Sequence, residues 1–335
     1  MLASLVFYPA VANGETPPSA WDAAKDPLVR DRYKLHLDVQ ELLEIREDRR
    51  IGTLRNLMAE KARALLDAHD AAHSPDPRLR FDLAEVYEVL KRYDVVIVVL
   101  EGALAMAPDH PAATHAWFSL ATAYAYRGSA EASRKEISAY REFLARETND
   151  ESRATAMLNL AEAEMNLGEM ERAIGDYQEA LRLAASSPRL GGPQTEILAV
   201  WGLAVAYDRS GDATGAAAQA RLVTQMDAQD RLISDEKDVF FVPAYERNWY
   251  LGLAAMAHAR AETDPRLILA HWADAEQRWD AYLAGAEKPG SADRWTARAR
   301  SHRDFSRAER VKAAARVAKL PPQRQPVSPT DFLKF

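Results

Sequence analysis

The sequence predicts an all-α fold, a solenoid of antiparallel helix hairpins. Three observations predict it. A pattern of small and bulky residues recurs four times between residues 77 and 230, at a spacing near 34 residues. Glycine occurs only 14 times in 335 residues, and alanine, which loses no side-chain entropy in a helix, dominates the 48% apolar content. Apolar positions recur every three or four residues, the period of a helix and not of a strand. A chain of this length reads as a repeat array or as two domains.

Residues 1–25 begin with an apolar run, Leu2 to Ala12, that contains Pro9. Ala10 and Ala12 suit the small-residue pockets of a signal peptidase cutting ahead of Asn13, although no basic residue precedes the run and it is short. Export to a periplasm or cell surface and retention in the cytoplasm both stay open. The alanine- and arginine-rich style is that of a bacterial chain. Residues 26–76 read as a helix hairpin. Asp26 is the N-cap and Pro27 the first residue of a helix to about Arg49. Leu54 to His73 is its partner, broken by Ser74 to Pro77.

Residues 77–230 hold the repeats. Residues 77–110 place Leu83, Ala84 and Tyr87 at positions 7, 8 and 11, then Val96, Leu100 and Ala103 at 20, 24 and 27. Residues 114–147 place Leu120, Ala121, Tyr124 and Gly128 at 7, 8, 11 and 15, then Ser133 and Ile137 at 20 and 24. Residues 154–187 place Leu160, Ala161, Gly168, Ala173, Tyr177 and Ala180, and residues 197–230 place Leu203, Ala204, Tyr207, Gly211, Ala216 and Ala220. Position 8 faces position 20 where two helices cross, so both are small. Bulky residues at 4, 11 and 24 fill the space beside the crossing, and glycine at 15 permits the tight turn. Each hairpin leaves an apolar face that the next one covers.

Four matches in register, with Leu-Ala-x-x-Tyr in three of them, resemble the tetratricopeptide repeat proteins. The resemblance implies a right-handed α-α superhelix. Tyr140 departs from the pattern where alanine is usual at position 27, and Glu164 stands where tyrosine is usual at position 11. Segments 148–153 and 187–196 are insertions; the second, with Pro188, Gly191, Gly192 and Pro193, reads as a loop.

The same resemblance implies that the first helix of each hairpin lines a concave groove, with positions 5, 9, 12 and 13 inward. Position 5 then selects Phe81, Phe118, Leu158 and Trp201. Position 9 selects Glu85 and Glu162 (with Thr122 and Val205), position 12 Glu88 and Asp208, and position 13 Tyr126 and Asn166. The groove Lys, Asn and Arg with which chaperone-binding members hold a C-terminal carboxylate are missing. An aromatic row flanked by carboxylates suits a protein or peptide partner with apolar and basic anchors. The alternative is that the aromatics pack between neighbouring first helices.

Residues 231–285 read as an extended crossover, to Val242, followed by an atypical hairpin of Ala244 to Arg260 and Leu267 to Ala284. Gly252, Ala275, Trp279 and Tyr282 echo the repeat. Residues 286–319 hold a basic capping helix. Its apolar stripe is expected to run through Trp295, Ala299, Phe305, Ala308, Val311, Ala315 and Ala318, with Arg300, Arg303, Arg307 and Arg310 on the other face. Residues 320–335, with four prolines, read as a disordered tail.

Net charge is −7, but the segment from Arg294 to Arg324 carries ten Lys or Arg against Asp304 and Glu309, leaving the rest acidic. The arginine face has two readings, a solvated cap docked on the acidic body or a contact for nucleic acid or anionic membrane. No aromatics interleave it, which weighs against single-stranded nucleic acid. Zero cysteines exclude disulfides, thiolate catalysis and cysteine-held zinc. No phosphate loop, Gly-x-Ser-x-Gly or His-Glu-x-x-His occurs. His69 and His73 lie one turn apart without an obvious further ligand beyond Asp70 or Asp76, so a metal is not expected. No cofactor, catalytic residue or membrane span is expected, and the function predicted is a protein-interaction scaffold.

Overall fold

The structure is a computed structural model that describes residues 25–44, 52–186, 192–227, 229–234, 241–288 and 293–321. The apolar run at residues 2–12, the loop residues Pro188 and Gly191, and the tail from 322 lie outside the described residues. The chain divides into two compact units, Met1–Ser210 and Gly211–Phe335. The described residues are helices joined by turns, as the repeat pattern requires.

The first unit holds α1 (Pro27–Glu44), α2 (Gly52–Ala68), α3 (Pro77–Val89), α4 (Tyr93–Met106), α5 (Ala113–Arg127), α6 (Ala130–Arg146), α7 (Asp150–Leu167), α8 (Met170–Ser186) and α9 (Gly192–Ser210). Successive helices pack on one another along the row. Starts are fixed by side-chain caps. Asp26 accepts from Leu28 N at 2.9 Å, Asp76 from Arg78 N at 3.1 Å, Ser129 from Ala132 N at 3.1 Å and Asn149 from Ser152 N at 3.0 Å. Segment 148–153, read as an insertion, supplies the cap Asn149 and the first turn of α7, which starts at Asp150. Residues 192–196, expected in a loop, form the first turn of α9.

The crossing positions are as small and as buried as their pattern demands. Ala84 and Val96 are 2% and 0% exposed, and Ala161 and Ala173 are both 0%. Leu100, 2% exposed, contributes roughly 2 kcal/mol by burial. At position 15, Gly128 and Gly168 take φ 61° and 84°; Lys91 holds the same left-handed place in the first repeat at φ 56°. Gly202 on α9 has a different reason to be glycine. A Cβ there would stand 2.2 Å from the ring of Tyr177 on α8.

The second unit holds α10 (Ala213–Met226), α11 (Arg231–Ser234), α12 (Arg247–Ala261), α13 (Pro265–Ala286) and α14 (Thr296–Val317). Residues 231–234, expected in an extended crossover, are helical. Its core is aromatic. Trp249 meets Trp279 edge-on at 5.2 Å and Tyr282 at 4.9 Å. A Cβ on Gly252 would lie 2.7 Å from the Trp279 ring, which explains the small residue. Asp293 ties the last helix to this core: it accepts from Tyr282 Oη at 2.7 Å and from Trp295 N, at the start of α14, at 2.7 Å.

The buried face of α14 is not the expected apolar stripe. Ala299, Ser306 and Ala313 are buried, whereas Phe305 and Val311 are 44% and 59% exposed. The register is set by charge. Glu276 on α13 accepts from Arg307 Nε at 2.7 Å and Arg310 Nε at 2.6 Å, turning the arginine side toward α13.

Candidate functional site

The residues expected in the groove lie at three- or four-residue steps along α3, α5 and α7, so on each helix they share a face. Glu85, Glu88, Phe118, Thr122, Leu158, Glu162 and Asn166 are half-buried, and Tyr126 is 37% exposed. Phe81 is buried and stacks on the His110 ring at 5.0 Å. Phe118 turns its edge to Tyr140 and Phe143 of α6, at 5.6 and 5.2 Å, so it packs inside its own hairpin. Tyr126 lies flat on Tyr93 of α4 at 3.9 Å. The two rings and Lys91, Arg92 and Arg127 line a cavity of about 490 Å³.

Trp201 and Asp208 require a correction. They are 0% and 2% exposed, and residues 199–206 are buried without a break, so α9 offers no open face there. The physical reason is in its composition: the stretch Ile197 to Tyr207 is apolar on every side, and such a helix is enclosed.

The first helices also carry groups the repeat pattern did not single out. On α3, Asp82 is 4% exposed and held by His36 Nδ1 at 2.7 Å and Gln40 Nε2 at 3.0 Å, both from α1. Burial pushes its carboxyl up despite those bonds. His36 and Gln40, one turn apart, could have been found by treating α1 as a further first helix.

Between α6 and α7 lie two departures from the repeat pattern. Tyr140 is fully buried; Asn159 Nδ2 donates to its Oη at 3.0 Å and Thr122 Oγ1 stands 3.5 Å away. Glu136, one turn before Tyr140, is 6% exposed, and burial together with the nearby Glu162 pushes its carboxyl well up. Glu164, in the tyrosine position, is 0% exposed and accepts from Arg141 Nη2 at 2.9 Å. Burial first, then Asp176 beside it, raises its carboxyl above the ordinary range.

Each of Arg300, Arg303, Arg307 and Arg310 on α14 meets a carboxylate. Arg300 reaches Glu287 at 2.8 Å, Arg303 reaches Asp304 at 2.8 Å, and Arg307 and Arg310 share Glu276. Burial pushes Glu276 up, but the two arginines outweigh it and hold the carboxyl below its usual range. His73 Nδ1 bonds Asp70 at 2.7 Å in the open, and His69 is exposed. Among the described residues no group of three or more His, Asp and Glu is placed to hold a metal ion. No described helix is long and apolar enough to cross a membrane.

Residues 154–187 match the tetratricopeptide repeat family. No curated protein matches the chain. Among solved structures, BtubC (BKLC) from P. vanneervenii aligns at 17% identity and a TM-score of 0.36, covering 90% of this chain and 97% of its own. The TPR domain of P58(IPK) aligns at 14% identity and a TM-score of 0.36, covering 89% of this chain and 71% of its own.

Proposed function

We propose that this chain, a tetratricopeptide repeat protein, is an interaction scaffold. It holds an extended or helical segment of a partner protein across α3, α5 and α7. Phe118, Tyr126 and Leu158 supply apolar contact, while Glu85, Glu88 and Glu162 receive lysine or arginine. The single observation that carries this reading is the repeated column of partly open residues. Phe118, Thr122 and Tyr126 on α5 are matched by Leu158, Glu162 and Asn166 on α7, at the same four-residue steps. Aromatic anchors lose little rotamer entropy on binding, and carboxylates beside them select a basic ligand. The reading assigns no catalytic step to the chain.

A panel of short fluorescent peptides, basic-apolar in one half and acidic-apolar in the other, tests it by polarisation. Basic-apolar members are expected to bind and to weaken about tenfold in the Phe118→Ala/Tyr126→Ala variant. Equal binding of both halves, or unchanged binding by a folded double variant, contradicts the reading.

A further inference from the structure

Position 15 of the repeat suits glycine, and Gly128 and Gly168 supply it, but the first repeat carries Lys91 there at φ 56°. The turn is closed by backbone alone: Arg92 N donates to Tyr87 O at 2.8 Å and Lys91 N to Glu88 O at 2.9 Å. Among the described residues no hydrogen bond or ion pair reaches the Lys91 ammonium. The Arg92 guanidinium lies over the Tyr87 ring at 5.6 Å and, among the described residues, meets no carboxylate. A cation kept at a strained turn position, where the fold makes no use of its side chain, points to a use outside the chain.

Both cations border the cavity of about 490 Å³ that the stacked rings of Tyr93 and Tyr126 wall. Sites for small ligands have about this size, roughly 300–1,000 Å³. Arg127, at the end of α5, adds a third cation to the lining, and Asp94 is its one carboxylate. Arg127 Nε stands 3.4 Å from Asp94 Oδ1, an exposed pair that contributes little and yields to a stronger anion. Arg55 and Glu88 also act on the Tyr93 phenol, with opposite sign, so the lining keeps its excess of positive charge. A phosphomonoester brings a charge of about −1.5 to −2 at neutral pH and three acceptor oxygens. The arginine forks take those oxygens in pairs and the lysine adds a point charge. A carboxylate offers less charge and one oxygen fewer.

We propose that this cavity receives a phosphorylated serine or threonine of the partner segment, with Lys91, Arg92 and Arg127 holding the phosphoryl oxygens. The inference rests on the segment-binding reading. Tyr126 is both the last residue of the α5 column and a wall of the cavity, so a segment laid along α5 ends at the three cations. Charge then sets the direction of the segment: its basic residues lie toward Glu85 and Glu162, and its phosphorylated end lies at the turn. Phosphorylation of the partner strengthens the hold without altering the apolar contacts.

The test uses the full chain with ¹³C-labelled tyrosine, titrated with N-acetyl-O-phosphoserine N-methylamide. N-acetylserine N-methylamide and sodium chloride at matched ionic strength are the controls, and phosphatidylglycerol vesicles stand for a lipid headgroup. The expected result is a saturable shift of the Tyr93 and Tyr126 ring resonances with the phosphoserine compound alone. Lys91→Gly, which suits the left-handed turn and keeps the fold, weakens saturation about tenfold or more, as does Arg92→Gln, whereas Lys91→Arg retains it. A terminal phosphoserine tightens a basic-apolar peptide of the panel about tenfold on the natural chain, and not on Lys91→Gly. Absent saturation, saturation that survives both substitutions, a response to the vesicles alone, or a phosphopeptide no tighter than its parent overturns the site. Failure of the segment-binding reading is distinct: no peptide of the panel binds while the capped phosphoserine still saturates.

Discussion

Lys91 sits where the other repeats carry glycine, with φ 56° in place of the 61° and 84° of Gly128 and Gly168. The left-handed conformation crowds its Cβ against the backbone. Lys91→Gly is therefore expected to raise unfolding free energy by about 0.5–1 kcal/mol, the relief of strain exceeding the added flexibility of the unfolded chain. Urea denaturation measures it, and an unchanged or lower midpoint contradicts the strain. Glu164 gives a pH signature. Its folded carboxyl is raised, by burial and then by Asp176, so its contribution to stability is full below the unfolded value of about 4.3. That contribution is lost as pH rises through the folded value. The midpoint of the natural chain should fall against that of Glu164→Gln between about pH 5 and pH 8, and parallel curves would contradict it. Tyr140 and Glu164 stood out in the sequence as departures, yet their partners Asn159, Thr122 and Arg141 come from neighbouring helices. Sequence periodicity names the odd residue but not what satisfies it.

Helices show where sequence patterns hold and where they fail. The run Val95 to Val99 is β-branched, but α4 carries it as helix because Val96, Ile97 and Leu100 are 0%, 3% and 2% exposed. Burial of that stripe outweighs local propensity, and the repeat register had already placed Val96 and Leu100 on the inner face. In α14 the opposite happened. Its apolar residues are mostly alanine, which docks or faces water at similar cost, so an apolar stripe carries little register information there. The fork of Arg307 and Arg310 on Glu276 decides instead, and its acceptor lies some thirty residues upstream, beyond any local pattern. Glu276→Gln should loosen α14 from α13, lowering stability by about 1 kcal/mol after discount for the exposed arginines. The Glu276 carboxyl is depressed, so its contribution is present above about pH 4.3 and lost as pH falls through the folded value. The variant and the natural chain should converge in urea midpoint in acid; a difference that persists there would show a packing defect rather than a charge effect. The positional rule assigned Trp201 of α9 to an open face, and the all-round apolar run of that helix, which goes with burial, was not weighed against it.

At the scale of the whole chain, the hairpin row over residues 77–186 was readable residue by residue. Each small position, cap and turn glycine has a local reason, and all of them point to one fold. Which faces stay open was less readable, because exposure depends on what the next helix presents. On the proposed reading, the carboxylates of α3 and α7 and the partly open rings of α5 are what a basic-apolar segment would meet. Arg300, Arg303, Arg307 and Arg310 of α14 are each paired with a carboxylate. Amide hydrogen exchange of the full chain, with and without the tightest basic-apolar peptide of the panel, tests the central claim most directly. The account predicts added protection in α3, α5 and α7, centred on Phe118 to Tyr126 and Leu158 to Asn166. Protection confined to α14, or spread evenly over both units, would contradict it.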